Sequence, residues 1–122
     1  MSFSDMYRRN VQRYRDEISR LRSAYSREVQ EKSRLSDRIV SEKRSASYSM
    51  SESSIRMHMS AVARYERDQA RCDKNMADIS KKIATAESNL ARESRRLSDE
   101  EERESRRREE EHRRARNPGR KR

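Results

Sequence analysis

Residues 41–58 read SEKRSASYSMSESSIRMH, a serine-rich stretch that carries little charge in a chain whose residues are 44% charged. Its reading decides whether the protein is one long helix or two helices folded on each other. On its N-terminal side the apolar positions run Tyr7, Val11, Tyr14, Ile18, Leu21 and Tyr25, then resume in the same phase at Leu35 and Ile39. On its C-terminal side they run Val62, Tyr65, Cys72, Met76, Ile79, Ile83, Ala86 and Leu90, with Gln69 the one polar member and Leu97 one heptad further on. Steps that alternate four and three lay a narrow apolar stripe along each helix, the pattern of a coiled-coil seam. Carried forward, the first phase lands on Glu42, Ala46, Ser49, Ser53, Arg56 and Ser60, and the second series starts two residues out of that phase. A reversal of the chain accounts for both the weak seam and the slip. Within SMSE, Ser49 is placed to cap a second helix while Glu52 reaches back, as in a capping box. With no Gly in the stretch, a Ser or Tyr is expected to take any left-handed turn conformation.

Composition agrees with helices and a thin core. The 122 residues are only 30% hydrophobic, too few to enclose the broad core of an ordinary globular domain. The one Pro and the one Gly are adjacent at Pro118 and Gly119, so residues 1–117 lack both strong helix breakers. The expected fold is all-α: an antiparallel helical hairpin coiled coil over 1–97, followed by a charged C-terminal single-helix extension. Its first helix is placed at about 3–45, its turn at about 46–51 and its second helix from about 52. Residues 98–116 form the extension, where Asp99 and Arg103, Glu102 and Arg106, Glu104 and Arg108, Glu109 and Arg113, and Glu110 and Arg114 stand at i,i+4 spacing. Residues 117–122 form a basic flexible end.

Pairing the helices so that facing residue numbers total 97 sets Tyr7 against Leu90, Val11 against Ala86, Tyr14 against Ile83 and Leu35 against Val62. The polar seam members then meet as well, Glu28 opposite Gln69 and Lys32 opposite Tyr65. Glu28, Lys32 and Gln69 thus form one expected polar layer that sets the register. A lone hairpin of this kind leaves apolar side chains beside its seam. Ala63, Ala70, Ala77, Ala84 and Ala91 repeat every seven residues on an outer face, and with Met57 and Met59 they are the expected self-association surface of a dimer of hairpins.

The inventory for chemistry is thin. Cys72 is the only cysteine and falls in the seam, where it serves as a small apolar residue. His58 and His112 lie in different segments without a Cys or acidic cluster at ligand spacing, and no phosphate loop or nucleophile elbow is present. No catalytic residue, cofactor or metal is expected, and the chain is read as a non-enzyme. Of 32 basic and 22 acidic residues, 22 and 14 fall in 1–97, so the excess behind the formal net charge of +10 belongs mainly to the hairpin. Arg8, Arg9, Arg13, Arg15, Arg20 and Arg22 crowd the first helix and are the candidate anion-binding residues, with nucleic acid or another polyanion as a nonspecific partner. The sequence has no apolar run of membrane-spanning length and no signal-peptide core, so no membrane partner is expected and the location defaults to the cytoplasm.

Three segments carry a resemblance: SASYSMSESSIRMH at 45–58, DKNMADISKKIATAESNL at 73–90 and EEERESRRREEEHRRAR at 100–116. Together they resemble the N-terminal coiled-coil region of certain bacterial proteins whose variable C-terminal parts include Toll/interleukin-1 receptor-type effector domains. The resemblance implies an assembly or sensing module ahead of a separate effector, which this sequence does not contain, and it assigns no catalytic residue. The functional expectation is a non-enzymatic, self-associating scaffold module with its Arg/Glu tail as a stiff connector. The alternative is a basic helical module that binds a polyanion.

Overall fold

In the computed structural model, which describes residues Ser2–Asn117, the chain forms two helices packed as an all-α hairpin: α1, Phe3–Tyr48, and α2, Glu52–Arg116. Serine opens both. The Asp5 amide donates to Ser2 Oγ at 3.1 Å and the Ser54 amide to Ser51 Oγ at 3.2 Å, so each helix has an N-cap hydroxyl on its third amide. Arg113, Arg114 and Arg116 occupy the last turn of α2, where positive charge complements the helix dipole.

The reversal takes Ser49, Met50 and Ser51, inside the expected 46–51 but shorter, because α1 continues through Ala46–Tyr48. Ser49 does not cap α2 as expected. It ends α1 instead, donating its amide to the Ala46 carbonyl at 3.2 Å and its hydroxyl to the Ser45 carbonyl at 3.0 Å. Ser51 is the cap, so the capping box with Glu52 does not form. The expected left-handed residue is also absent: no described residue has a positive φ. Ser49 and Ser51, on either side of Met50, engage backbone groups at the two helix ends through their own side chains.

The chain divides into two compact units, a terminal unit of Met1–Ile18 with Thr85–Arg122 and a turn unit of Ser19–Ala84. In the terminal unit Val11, Ile18 and Ala86 are buried. In the turn unit Leu35, Ile39, Val62 and Cys72 are buried, and Leu21, Tyr25, Met76, Ile79 and Ile83 are half-buried. Both apolar series therefore sit where their heptads place them. The register between them is different. Gln69 reaches Ser36 and the Lys32 carbonyl, Lys32 reaches Asp73, and Glu28 reaches Asn75. These contacts fit a pairing moved by one heptad, with Leu35 opposite Gln69, Lys32 opposite Cys72 and Glu28 opposite Met76. The physical reason lies in the turn. Extending α1 to Tyr48 and capping α2 at Ser51 moves the reversal toward the C-terminus by a few residues, and a heptad seam can follow only in whole repeats.

In the terminal unit the same register brings α1 against a later part of α2 than expected. Buried Ser4 donates to the Glu104 carboxylate at 2.8 Å, and Arg8 lies 3.7 Å from Glu101. The expected boundary at residue 97 is thus replaced by pairing that reaches Glu104, and the unpaired part of the charged extension is shorter. Of the expected i,i+4 pairs, Arg106 with Glu102 at 2.6 Å and Arg114 with Glu110 at 3.0 Å are formed, while Arg103 turns to Glu100 at 3.6 Å. Of the expected end at 117–122, all but Asn117 lies outside the described residues.

Candidate functional site

Three adjacent layers of the turn unit each contain one polar seam residue. Glu28 accepts a hydrogen bond from Asn75 Nδ2 at 3.2 Å, Lys32 Nζ lies 2.6 Å from Asp73 Oδ1, and Gln69 Nε2 donates to Ser36 Oγ at 2.7 Å and the Lys32 carbonyl at 3.3 Å. The expected layer is therefore a stagger: no polar residue faces another, and each reaches sideways to a partner at the rim. The Asp73 hydrogen bond and charge raise the Lys32 ammonium above its ordinary 10.5. Burial, followed by the Glu28 carboxylate, raises the Cys72 thiol above its ordinary 9.0, which suits a packing residue and works against a thiolate nucleophile.

Outside its seam the turn unit has two unlike sides. Ser36 and Asp73, touched by Gln69 and Lys32, mark one side, while Asn75 and Arg38, touched by Glu28 and stacked on Tyr65, mark the other. Residues seven apart share an azimuth, so the rest can be assigned. The first side carries Ala63, Ala70, Ala77 and Ala84 on α2 and Ser19, Ser26 and Ser33 on α1, all exposed. Val29, Val40 and Met59 lie on it too, 43%, 56% and 45% exposed. Met57, grouped with the alanines from the sequence, belongs to the opposite side, two helix positions before Met59. Ala91 belongs to the terminal unit and is exposed there.

The opposite side is basic. Arg20, Arg27 and Arg34 repeat every seven residues on α1, and Arg64 and Arg71 do so on α2. The Arg38 and Arg64 guanidiniums lie 5.8 and 5.5 Å from the Tyr65 ring centre, so one aromatic holds two cations. The six arginines singled out from the first helix do not form a single cluster. Arg20 and Arg22 take opposite sides of the turn unit, two residues apart. In the terminal unit Arg8 is tied to Asp5 at 3.0 Å, and Arg8 and Arg15 border an open groove of about 550 Å³ with Val11, Gln12, Leu97 and Glu101. Arg13 lies over Tyr14, and Arg9 is not among the groove residues.

Sequence reasoning passed over the polar members of the terminal unit's seam. Ser4, Glu93 and Glu100 are 2%, 5% and 8% exposed. Glu93 accepts a 3.4 Å hydrogen bond from Arg96 on one carboxylate oxygen, and its other oxygen is buried without a partner. Glu100 is bracketed by Arg103 at 3.6 Å and Arg107 at 3.7 Å. The signal was present: Ser4 is three residues before Tyr7, and Glu93 and Glu100 follow Ala86 by one and two heptads. At the turn, His58 Nδ1 lies 2.6 Å from Glu42 Oε2, while Met50 and Tyr48 are 101% and 79% exposed. Among the described residues no group of His, Cys, Asp and Glu is arranged to hold a metal ion, and no helix is long and apolar enough to cross a membrane.

No family model, curated protein or solved structure matches this chain.

Proposed function

We propose that the protein is a non-enzymatic coiled-coil module that self-associates through the Ala/Ser side of its turn unit, with a second copy of the chain as its partner. The observation that supports this reading is the convergence on one side of three sets of residues: the alanine heptads of α2, the serine heptads of α1, and exposed Val29, Val40 and Met59. Small side chains in register let another helix pair approach closely, and the three larger apolar residues supply area that is removed from water on contact. Ala is also a strong surface helix former, but that preference does not explain why the α1 row Ser19, Ser26 and Ser33 on the same side is small and why two exposed valines accompany it. The polar layers of Glu28, Lys32 and Gln69 serve as register-setting elements in this reading, and the Arg/Glu end of α2 is a stiff spacer to whatever the module presents. An effector or other protein partner beyond that spacer is what the resemblance implies.

Sedimentation equilibrium of the full chain at micromolar concentration tests the proposal. A dimer or larger species is expected, and Ala70→Glu, Ala77→Glu and Ala84→Glu together should weaken association while helicity stays near the parent's. A monomeric parent refutes self-association. Unchanged association in the triple variant refutes this side as the surface.

A further inference from the structure

We infer that the arginine side of the turn unit is a docking surface for the phosphate backbone of a nucleic-acid duplex, read without regard to sequence. Arg20, Arg27 and Arg34 form a straight row on α1 with a spacing of about 10.5 Å, seven residues at about 1.5 Å each. Arg64 and Arg71 form a second row on α2, and Arg38 stands between the rows. All six are exposed. The acids on this side are Glu31, Asp68 and Asp78, and the Glu28 carboxylate reaches its rim at Asn75. Glu31 pairs with Arg34 at 3.4 Å and Asp68 with Arg71 at 3.1 Å, exposed i,i+3 contacts of the kind that contribute little and yield readily to a phosphate. The Tyr65 ring orients the Arg38 and Arg64 guanidiniums in advance.

The geometry selects among polyanions. A duplex offers about one negative charge per 1.7 Å of axis, so successive arginines of a row each find phosphates. Two packed helices, each about 10–12 Å across, are too wide together for a major groove of about 12 Å, which leaves backbone contact and no base reading. A single strand would need aromatic platforms for its bases, yet Tyr65 lies beneath two arginines and the other tyrosine on this side, Tyr48, is at the turn. An anionic lipid surface would need apolar anchors among the cations, and here they are confined to Met57 and Tyr48. This surface is opposite the alanine side, so the inference does not depend on self-association.

Fluorescence anisotropy of a mixed-sequence DNA duplex with the full chain, measured across a salt series, provides the test. The parent should bind with a steep salt dependence. Arg20→Gln, Arg27→Gln and Arg34→Gln together should reduce the slope of log K against log salt by up to about 2.7, at about 0.9 per phosphate contact. A control triple, Arg22→Gln, Lys43→Gln and Arg56→Gln, removes the same charge from the alanine side of the same unit and should change the slope by less than about 1. The Arg→Lys version of the first triple should keep most of the slope, which separates charge from folding. Equal losses in both Gln triples would reduce the effect to net charge and overturn the inference. So would a parent that fails to bind, or one that binds phosphatidylserine vesicles as tightly with the same dependence on Arg20, Arg27 and Arg34.

Discussion

Replacing Glu93 with Leu should stabilise the terminal unit, although the substitution removes a charge from a highly charged chain. Glu93 holds a seam position opposite Val11 and is 5% exposed, and one of its carboxylate oxygens is buried without a hydrogen-bond partner. Leaving such an atom unsatisfied costs about 1–3 kcal/mol. A Leu at the same position gains about 1.5–3 kcal/mol from its own burial. Against this stands the loss of the 3.4 Å contact from Arg96, whose side chain is 53% exposed and whose contribution is about 0–1 kcal/mol. A net gain of about 1.5–6 kcal/mol follows, less any misfit of the branched side chain. At about 4 °C per kcal/mol for a chain of this size, the melting temperature should rise by at least about 6 °C. Urea and thermal unfolding followed by circular dichroism would measure the gain, and amide hydrogen exchange would locate it in 7–18 and 86–97. Glu93→Gln, which keeps an acceptor for Arg96, should gain less. A Leu variant no more stable than the parent would show that this carboxylate is solvated in solution and that the seam does not continue through it.

The register can be tested by cross-linking in a Cys72→Ala background. Leu35→Cys with Gln69→Cys should oxidise to an intrachain disulfide, whereas Glu28→Cys with Gln69→Cys should not, because a heptad adds about 10.5 Å and a disulfide needs Cα atoms within about 7 Å; the reverse result restores the register read from the sequence. Cys72, buried and with its thiol raised by that burial, should react with iodoacetamide far more slowly than a free thiol until urea unfolds the chain. Fast labelling of the folded protein would contradict its place in the seam. Because Lys32 titrates above 10.5 when folded, its contribution is fully present below pH 10.5 and is lost as pH rises through the still higher folded value. Lys32→Met should therefore lack that alkaline component of unfolding, and an identical alkaline profile would place the charge of Lys32 in open solvent.

Much of the fold was legible because heptads are a strong signal. The stripes Tyr7–Ile39 and Val62–Leu97 fell where their spacing put them, and the slip between them located the turn. Which heptad faced which was not legible, since a periodic seam matches itself at every seventh residue and the choice rests on whether Ser49 or Ser51 begins α2. Both hydroxyls can cap, and the structure gives that role to Ser51 while Ser49 donates to the Ser45 carbonyl. Polar seam members such as Glu93 and Glu100 went unseen because a search for apolar residues stops at the first charged one. The candidate surfaces were half legible. The alanine repeat was evident, but its union with Val29 and Val40, and the separation of Arg20 from Arg22, required the azimuths that the cross-helix contacts supply.

The turn of Ser49, Met50 and Ser51 uses no left-handed residue, and this bears on how copies of the chain can meet. A reversal held in a strained conformation would relax if α2 of one molecule paired with α1 of another, so arm exchange would release energy. Here nothing is released. A three-residue connection also presents the two helices to each other at an effective concentration on the order of millimolar, as for short flexible linkers. The seam therefore closes within its own chain at micromolar concentration, and the self-association proposed above is one of finished hairpins meeting at their sides.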